Sequence, residues 1–140
     1  MMLDKNNVAA ILPQKTPFVM VDELLWADDI KTVTNFLVAK ENILVEKGRF
    51  TPAGLIENIA QTVAIGSAYN AKIKEEKPAI GFIVEVKNLV INQMPKVDTT
   101  ITTTVLVENK IFDFVIVKGS VSQNDSELAT CVMKIFIKPN

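Results

Sequence analysis

The segment from Pro52 to Ile73, PAGLIENIAQTVAIGSAYNAKI, most constrains what this chain can fold into. Thr51 followed by Pro52 is a helix-start signal: a side-chain cap, then a residue whose missing N–H is not needed in the first turn. Leu55, Ile56, Ile59, Ala60, Val63, Ala64 and Ala68 cover more than one narrow stripe, so the predicted helix has to be covered on several sides. Gly66, Ser67 and Ala68 are small and permit another element to approach closely. The charged run from Lys72 to Lys77 is its solvated end. Such a helix needs a broad apolar surface to lie against, and the remaining chain has to supply it.

After Pro78 the sequence turns strand-like. Four runs, Ala79–Ile91, Thr99–Asn109, Ile111–Ser122 and Glu127–Ile137, are rich in β-branched residues. Turn residues at Pro95–Asp98, Glu108–Lys110 and Asn124–Asp125 separate them. Ahead of the helix, a short helix is predicted from about Asn6 to Leu12, capped by Asp4 or Asn6 and stopped by Pro13. In the run from Pro17 to Asp28, Val19 and Val21 alternate with Met20 and Asp22, which predicts a half-buried strand. Lys31–Ala39 returns as a second strand after Asp28–Asp29, and Lys40–Phe50 reads as irregular, with Gly48 permitting a bend. The pattern is α+β: one long helix against a mostly antiparallel sheet, in a single domain over residues 1–140.

Composition narrows the function. A net charge of −1 provides no global field for nucleic acid or an anionic membrane. No run approaches the roughly 20 apolar residues of a membrane span, and the N-terminal apolar stretch is broken by Pro13, so a cytoplasmic protein is expected. The single cysteine, Cys131, lies in an alternating apolar run and reads as a core residue. Histidine is absent, which removes the commonest general acid/base and the commonest metal ligand. No metal and no cofactor is expected.

Glu57 is the carboxylate set among the apolar residues of the long helix. The residues alone leave two readings open: a proton-transfer group in a pocket, or a solvated or structural carboxylate bonded to Gln61 or Arg49. Gln61 lies one turn further along the same face. Asp22 reads as structural, and Tyr69 and Asn70 as core and helix-end residues. Lys72, Lys74, Lys77 and Lys87, with acidic residues between them, read as a solvated face rather than a carrier-protein contact.

Two motifs carry a resemblance. Leu12-Pro13-Gln14-Lys15-Thr16-Pro17-Phe18, followed by apolar residues and Asp22, is similar to the Leu-Pro-His-(basic)-x-Pro-Phe motif of the β-hydroxyacyl-acyl-carrier-protein dehydratases. Leu55-Ile56-Glu57-Asn58-Ile59-Ala60-Gln61 resembles the Leu-Ile-x-Glu-x-x-Ala-Gln of their central helix. The resemblance implies the hotdog fold, a long central helix wrapped by a mostly antiparallel sheet. It implies acyl thioesters on an acyl carrier protein or coenzyme A as ligands, and a homodimer or higher homo-oligomer. It makes Glu57 the catalytic carboxylate, with Arg49, Gly54, Leu55 and Gln61 around the substrate. The departures are equally specific. Gln14 stands where that family has a histidine, and Gly48-Arg49-Phe50-Thr51-Pro52 places Arg49 where a Gly-His-Phe-Pro-Gly segment carries the catalytic histidine. Arginine stays protonated and cannot shuttle protons. Dehydration is therefore expected to be impaired. A non-catalytic acyl-binding or partner subunit and an acyl thioesterase stand as alternatives.

Overall fold

The computed structural model describes residues 1–138. The elements are α1 (Lys5–Ile11), β1 (Glu23–Ala27), β2 (Lys31–Leu37), β3 (Val45–Glu46), β4 (Arg49–Phe50), α2 (Pro52–Ile73), β5 (Ile80–Ile91), β6 (Thr100–Ile111), β7 (Phe114–Gln123) and β8 (Ser126–Lys138). The long helix keeps the predicted bounds. Thr51 Oγ1 accepts the Gly54 N–H at 3.3 Å and Pro52 opens the first turn. Six strands form one sheet in the order β1-β2-β6-β7-β8-β5, antiparallel at every pairing. α2 lies across this sheet over a core of Phe36, Phe50, Leu55, Ile59, Ile101, Val117 and Met133. Cys131 is buried in the same core, and burial pushes its thiol pKa up. An α+β architecture of one long helix on an antiparallel sheet is what the hydrophobic pattern requires.

Close approach of helix and sheet depends on two glycines. A Cβ on Gly119 of β7 would stand 2.5 Å from Ile59 Cγ2, and one on Gly66 would overlap the Thr32 side chain of β2. The small Gly66 thus serves packing within the chain. Ser67 is exposed and Ala68 half-buried.

Several sequence expectations need correction. Pro17–Asp22 is not strand, since β1 begins only at Glu23. The backbone of Met20 bonds to the helix rather than to a ladder: its N–H donates to Gln61 Oε1 at 2.7 Å and its C=O accepts from Asn58 Nδ2 at 2.8 Å. Met20 and Val21 are both buried, so the alternation is lost. Within the supposedly irregular Lys40–Phe50, β3 and β4 pair as a small hairpin turned by Lys47 (φ 51°) and Gly48 (φ 75°). The β6–β7 turn sits at Phe112–Asp113, not Glu108–Lys110, because Glu108 is taken up in a bulge between Val107 and Asn109. Asn124 and Asp125 do turn the last hairpin, both at positive φ, as a two-residue loop of this twist requires.

The face of α2 also differs from its apolar reading. Ile59 is buried as expected, but Ile56, Ala60 and Val63 are only partly so. The fully buried stripe includes Asn58, Gln61 and Thr62. Their polar atoms are paired. Thr103 Oγ1 donates to Asn58 Oδ1 at 2.6 Å, Thr62 Oγ1 donates to Asn58 O at 2.9 Å, and the Thr34 and Thr62 hydroxyls are 2.8 Å apart. A buried network satisfied in this way ties the helix to β2, β6 and the Met20 segment in one register.

The two edges of the sheet are unlike. β1 is covered by the N-terminal segment, where Met2 N–H donates to Leu24 O at 2.8 Å and Leu24 N–H to Leu3 O at 3.0 Å. β5 ends the sheet, and Ile80, Phe82, Ile83, Val84, Leu89 and Val90 along it are exposed. A long apolar edge of this kind is a template for pairing with another strand.

Candidate functional site

Glu57 stands half-buried on the side of α2 that the sheet leaves open. It lines a cavity of about 610 Å³ between α2, the 13–14 segment, β5 and the end of β8. Ala60, Ala64 and Ala68 on the helix and Phe82, Ile83 and Ile135 on the strands make its walls largely apolar. A cavity of this size and character, with few polar groups, fits a small organic ligand.

Gln61 decides how Glu57 presents itself. Its side chain is fully buried and makes three hydrogen bonds. Met20 N–H can only donate, so Oε1 must face it and Nε2 must point the other way. Nε2 then donates to Phe18 O and to Glu57 Oε1, each at 2.8 Å. Glu57 Oε1 is therefore held as an acceptor. A proton carried by this carboxyl resides on Oε2, for which no hydrogen bond occurs among the described residues.

Of the residues singled out from sequence, the structure brings Glu57 and Gln61 together and leaves the others apart. Arg49 reaches away, its Nη1 donating to Met94 O at 3.0 Å, and no ion pair among the described residues joins it to Glu57. Gly54 packs against Phe50, and its N–H is engaged by Thr51 Oγ1. Leu55 is buried in the core, and its N–H donates to Thr51 O at 3.0 Å. Neither of these amides has a hydrogen left for a substrate carbonyl. Asp22 accepts the Leu37 N–H at 2.7 Å, and burial raises its pKa against the lowering effect of that bond. Lys74 pairs with Asp29 at 2.9 Å and Lys87 with Glu85 at 3.2 Å, both on the surface.

Two residues at the site were given no role from the sequence. Asn58, named in the sequence reading only within the second motif, holds the Met20 carbonyl. Its signal was the polar spacing Asn58, Gln61, Thr62, one helical face within a single turn. Gln14 lines the Glu57 cavity, and its Oε1 is buried without a partner among the described residues. Its signal was its place in the first motif, at the position where the dehydratase motif it resembles has histidine.

A long helix laid over one antiparallel sheet in this strand order defines a hotdog-fold protein. The family model described as ApeP-like, ApeP dehydratase, matches residues 6–140, and the chain belongs to that family. A chain of the dehydratase heterocomplex ApeI:P from Xenorhabdus doucetiae superposes with a TM-score of 0.85 at 16% identity, covering 95% of this chain and 91% of that one. A hypothetical thioesterase with coenzyme A from Streptococcus pneumoniae TIGR4 gives 0.69 at 12% identity over 84% and 86% of the two chains. The protein smu.793 from Streptococcus mutans UA159, bound to acetyl CoA, gives 0.67 at 13% identity over 84% and 89%. No curated protein matches the sequence. No helix among the described residues is long and apolar enough to cross a membrane.

Proposed function

We propose that this chain is the Glu57-bearing subunit of a dehydratase acting on 3-hydroxyacyl thioesters, carried by an acyl carrier protein or coenzyme A in fatty-acid or polyketide-type synthesis. The observation that carries the reading is the fixed Gln61 amide, which leaves Glu57 Oε2 as the atom that holds or takes a proton at an apolar cavity. Dehydration removes a proton from the carbon next to the thioester carbonyl and expels the 3-hydroxyl as water. Glu57 Oε2 supplies one of these transfers. A group oriented by a buried neighbour is suited to that work, since its geometry is set before the substrate arrives.

The second transfer lacks a histidine in this chain. A second copy would bring another Glu57 but no imidazole. The bare apolar edge of β5, beside the Glu57 cavity, supports assembly with another hotdog chain through joined sheets. That the ApeI:P relative is a heterocomplex favours a different chain over a homodimer, and such a chain would have to bring the histidine that this one lacks. In this reading residues 1–140 form a single cytoplasmic hotdog domain whose site is completed by its partner.

The test is dehydration of a 3-hydroxyacyl pantetheine thioester by the purified full chain, alone and mixed with a histidine-bearing hotdog dehydratase subunit. Alone, turnover is expected to be lower by about 10²- to 10⁴-fold, the usual contribution of one positioned acid/base group. The mixture should recover it, and Glu57→Gln should abolish the recovery. Full activity of the chain alone would refute the shared site. Recovery unaffected by Glu57→Gln would remove Glu57 from the chemistry. Release of free thiol instead of enoyl product would assign the site to thioester hydrolysis.

A further inference from the structure

Two glutamines stand at the Glu57 site, and they are held in opposite ways. The Gln61 amide is pinned by its three hydrogen bonds. Gln14 stands in the cavity wall with Oε1 buried and unpartnered, and no hydrogen bond among the described residues fixes its Nε2. The backbone around Gln14 is anchored all the same. Leu12 on one side is buried, and its N–H donates to Val8 O at 2.9 Å. Lys15 on the other side donates from Nζ to Ala9 O at 3.1 Å and to Leu12 O at 3.0 Å, and its carbonyl accepts the Phe18 N–H at 2.8 Å. Phe18 O in turn accepts from Gln61, which orients Glu57. The wall is therefore tied to the device behind Glu57, while the amide it carries is not tied to anything in the chain. A buried amide oxygen without a donor costs stability, and such a group calls for a donor from outside the fold. The terminal torsion of glutamine is broad, so with no bond to oppose it the amide turns either end to the cavity.

We propose that the Gln14 amide contacts the 3-hydroxyl of the substrate and makes this site prefer 3-hydroxyacyl thioesters over saturated acyl thioesters. This rests on the reading of the Glu57 cavity as a thioester site, and it adds the residue that recognises the group to be expelled. A hydroxyl both donates and accepts, so it pairs with either end of the amide, whereas a methylene pairs with neither. Gln14, Glu57 and Ser67 carry the polar side chains of the cavity lining. Ser67 lies ten residues beyond Glu57 on α2, about 15 Å along the helix axis, which leaves Gln14 as the neutral polar group for the Glu57 end. An amide holds a hydroxyl without transferring a proton to it. Proton transfer stays with Glu57 and the partner chain, and Gln14 sets which ligand is held for it.

The experiment compares wild type with Gln14→Leu and, separately, Gln14→Met, which keep roughly the side chain's size and remove the amide. In the ligand-free full chain both variants should melt at or above the wild-type temperature, because they delete an orphaned acceptor. A clear fall in both means that the fold itself uses the amide, and overturns the proposal. Calorimetry then measures binding of a 3-hydroxyacyl pantetheine thioester and of the saturated thioester of equal chain length. Wild type should bind the 3-hydroxyacyl ligand more tightly. In the variants that preference should shrink by about 2- to 13-fold, the usual net contribution of one hydrogen bond, through weaker binding of the 3-hydroxyacyl ligand alone. An unchanged preference overturns the contact. An equal loss for both ligands places Gln14 against a part they share, such as the pantetheine arm, and overturns it too. Binding of neither ligand by wild type would instead refute the thioester site itself, and the role of Gln14 with it.

Discussion

Replacing Gln61 by leucine isolates the device that orients Glu57. The two side chains are similar in volume, so the substitution removes polar atoms and leaves little cavity. Three partners lose their bond: Met20 N–H, Phe18 C=O and Glu57 Oε1. Phe18 is 56% exposed and Glu57 half-buried, so water replaces Gln61 at both. Met20 is fully buried, and its N–H has no other acceptor among the described residues. One orphaned buried donor costs about 1–3 kcal/mol. At this chain length that lowers the melting temperature by roughly 3–15 °C. Glu57→Gln leaves the Met20 bond intact and serves as the control. The specific readout is amide exchange at Met20 in the native state, expected to quicken by roughly 5- to 150-fold in Gln61→Leu, since 1.4 kcal/mol is tenfold. Unchanged exchange at Met20, or an equal melting shift in Glu57→Gln, would refute the reasoning.

Burial raises the folded-state pKa of Asp22 above the ordinary aspartate value. Its stabilising contribution is present in full below the unfolded pKa and is lost as pH rises through the folded one. Asp22→Asn keeps an acceptor for Leu37 N–H and should match or exceed wild-type stability at pH 7, with a flatter stability profile just above pH 4; a less stable variant in neutral-pH denaturant titration would contradict this. Gly119→Ala should destabilise by about 1–3 kcal/mol through overlap with Ile59, and a double variant with Ile59→Ala should lose less than the sum of the two, which denaturant unfolding measures directly. Phe82→Asp and Val84→Asp on β5 should shift the assembled species toward monomer in analytical ultracentrifugation, and an unchanged mass distribution would exclude β5 as the interface.

Much of this protein was legible in order. The cap and proline at Thr51–Pro52 and the apolar run behind them determine the long helix, because start signals and periodicity are local properties of the chain. The later strands and the Asn124–Asp125 turn were legible for the same reason. The carboxylate on the helix, and its glutamine one turn on, were visible as spacing.

Only tertiary structure decided the rest. Whether Met20 joined a ladder or the helix depended on Asn58 and Gln61, some forty residues away in sequence, reaching its backbone. Burying those two polar residues is tolerable only where distant partners satisfy them, and no local pattern records that. Glu108 reads as a turn residue but sits in a bulge, because the β6–β7 pairing extends past it to Ile111 and Phe114. Arg49, near Glu57 in sequence, is carried away by the β3–β4 hairpin to the Met94 carbonyl. The face of α2 left open, and with it the cavity at Glu57, follows from where the sheet ends: at β5, an edge that the described residues do not cover. Side-chain identity follows from sequence; which groups meet is set by long-range packing, where satisfying every buried donor outweighs local preference.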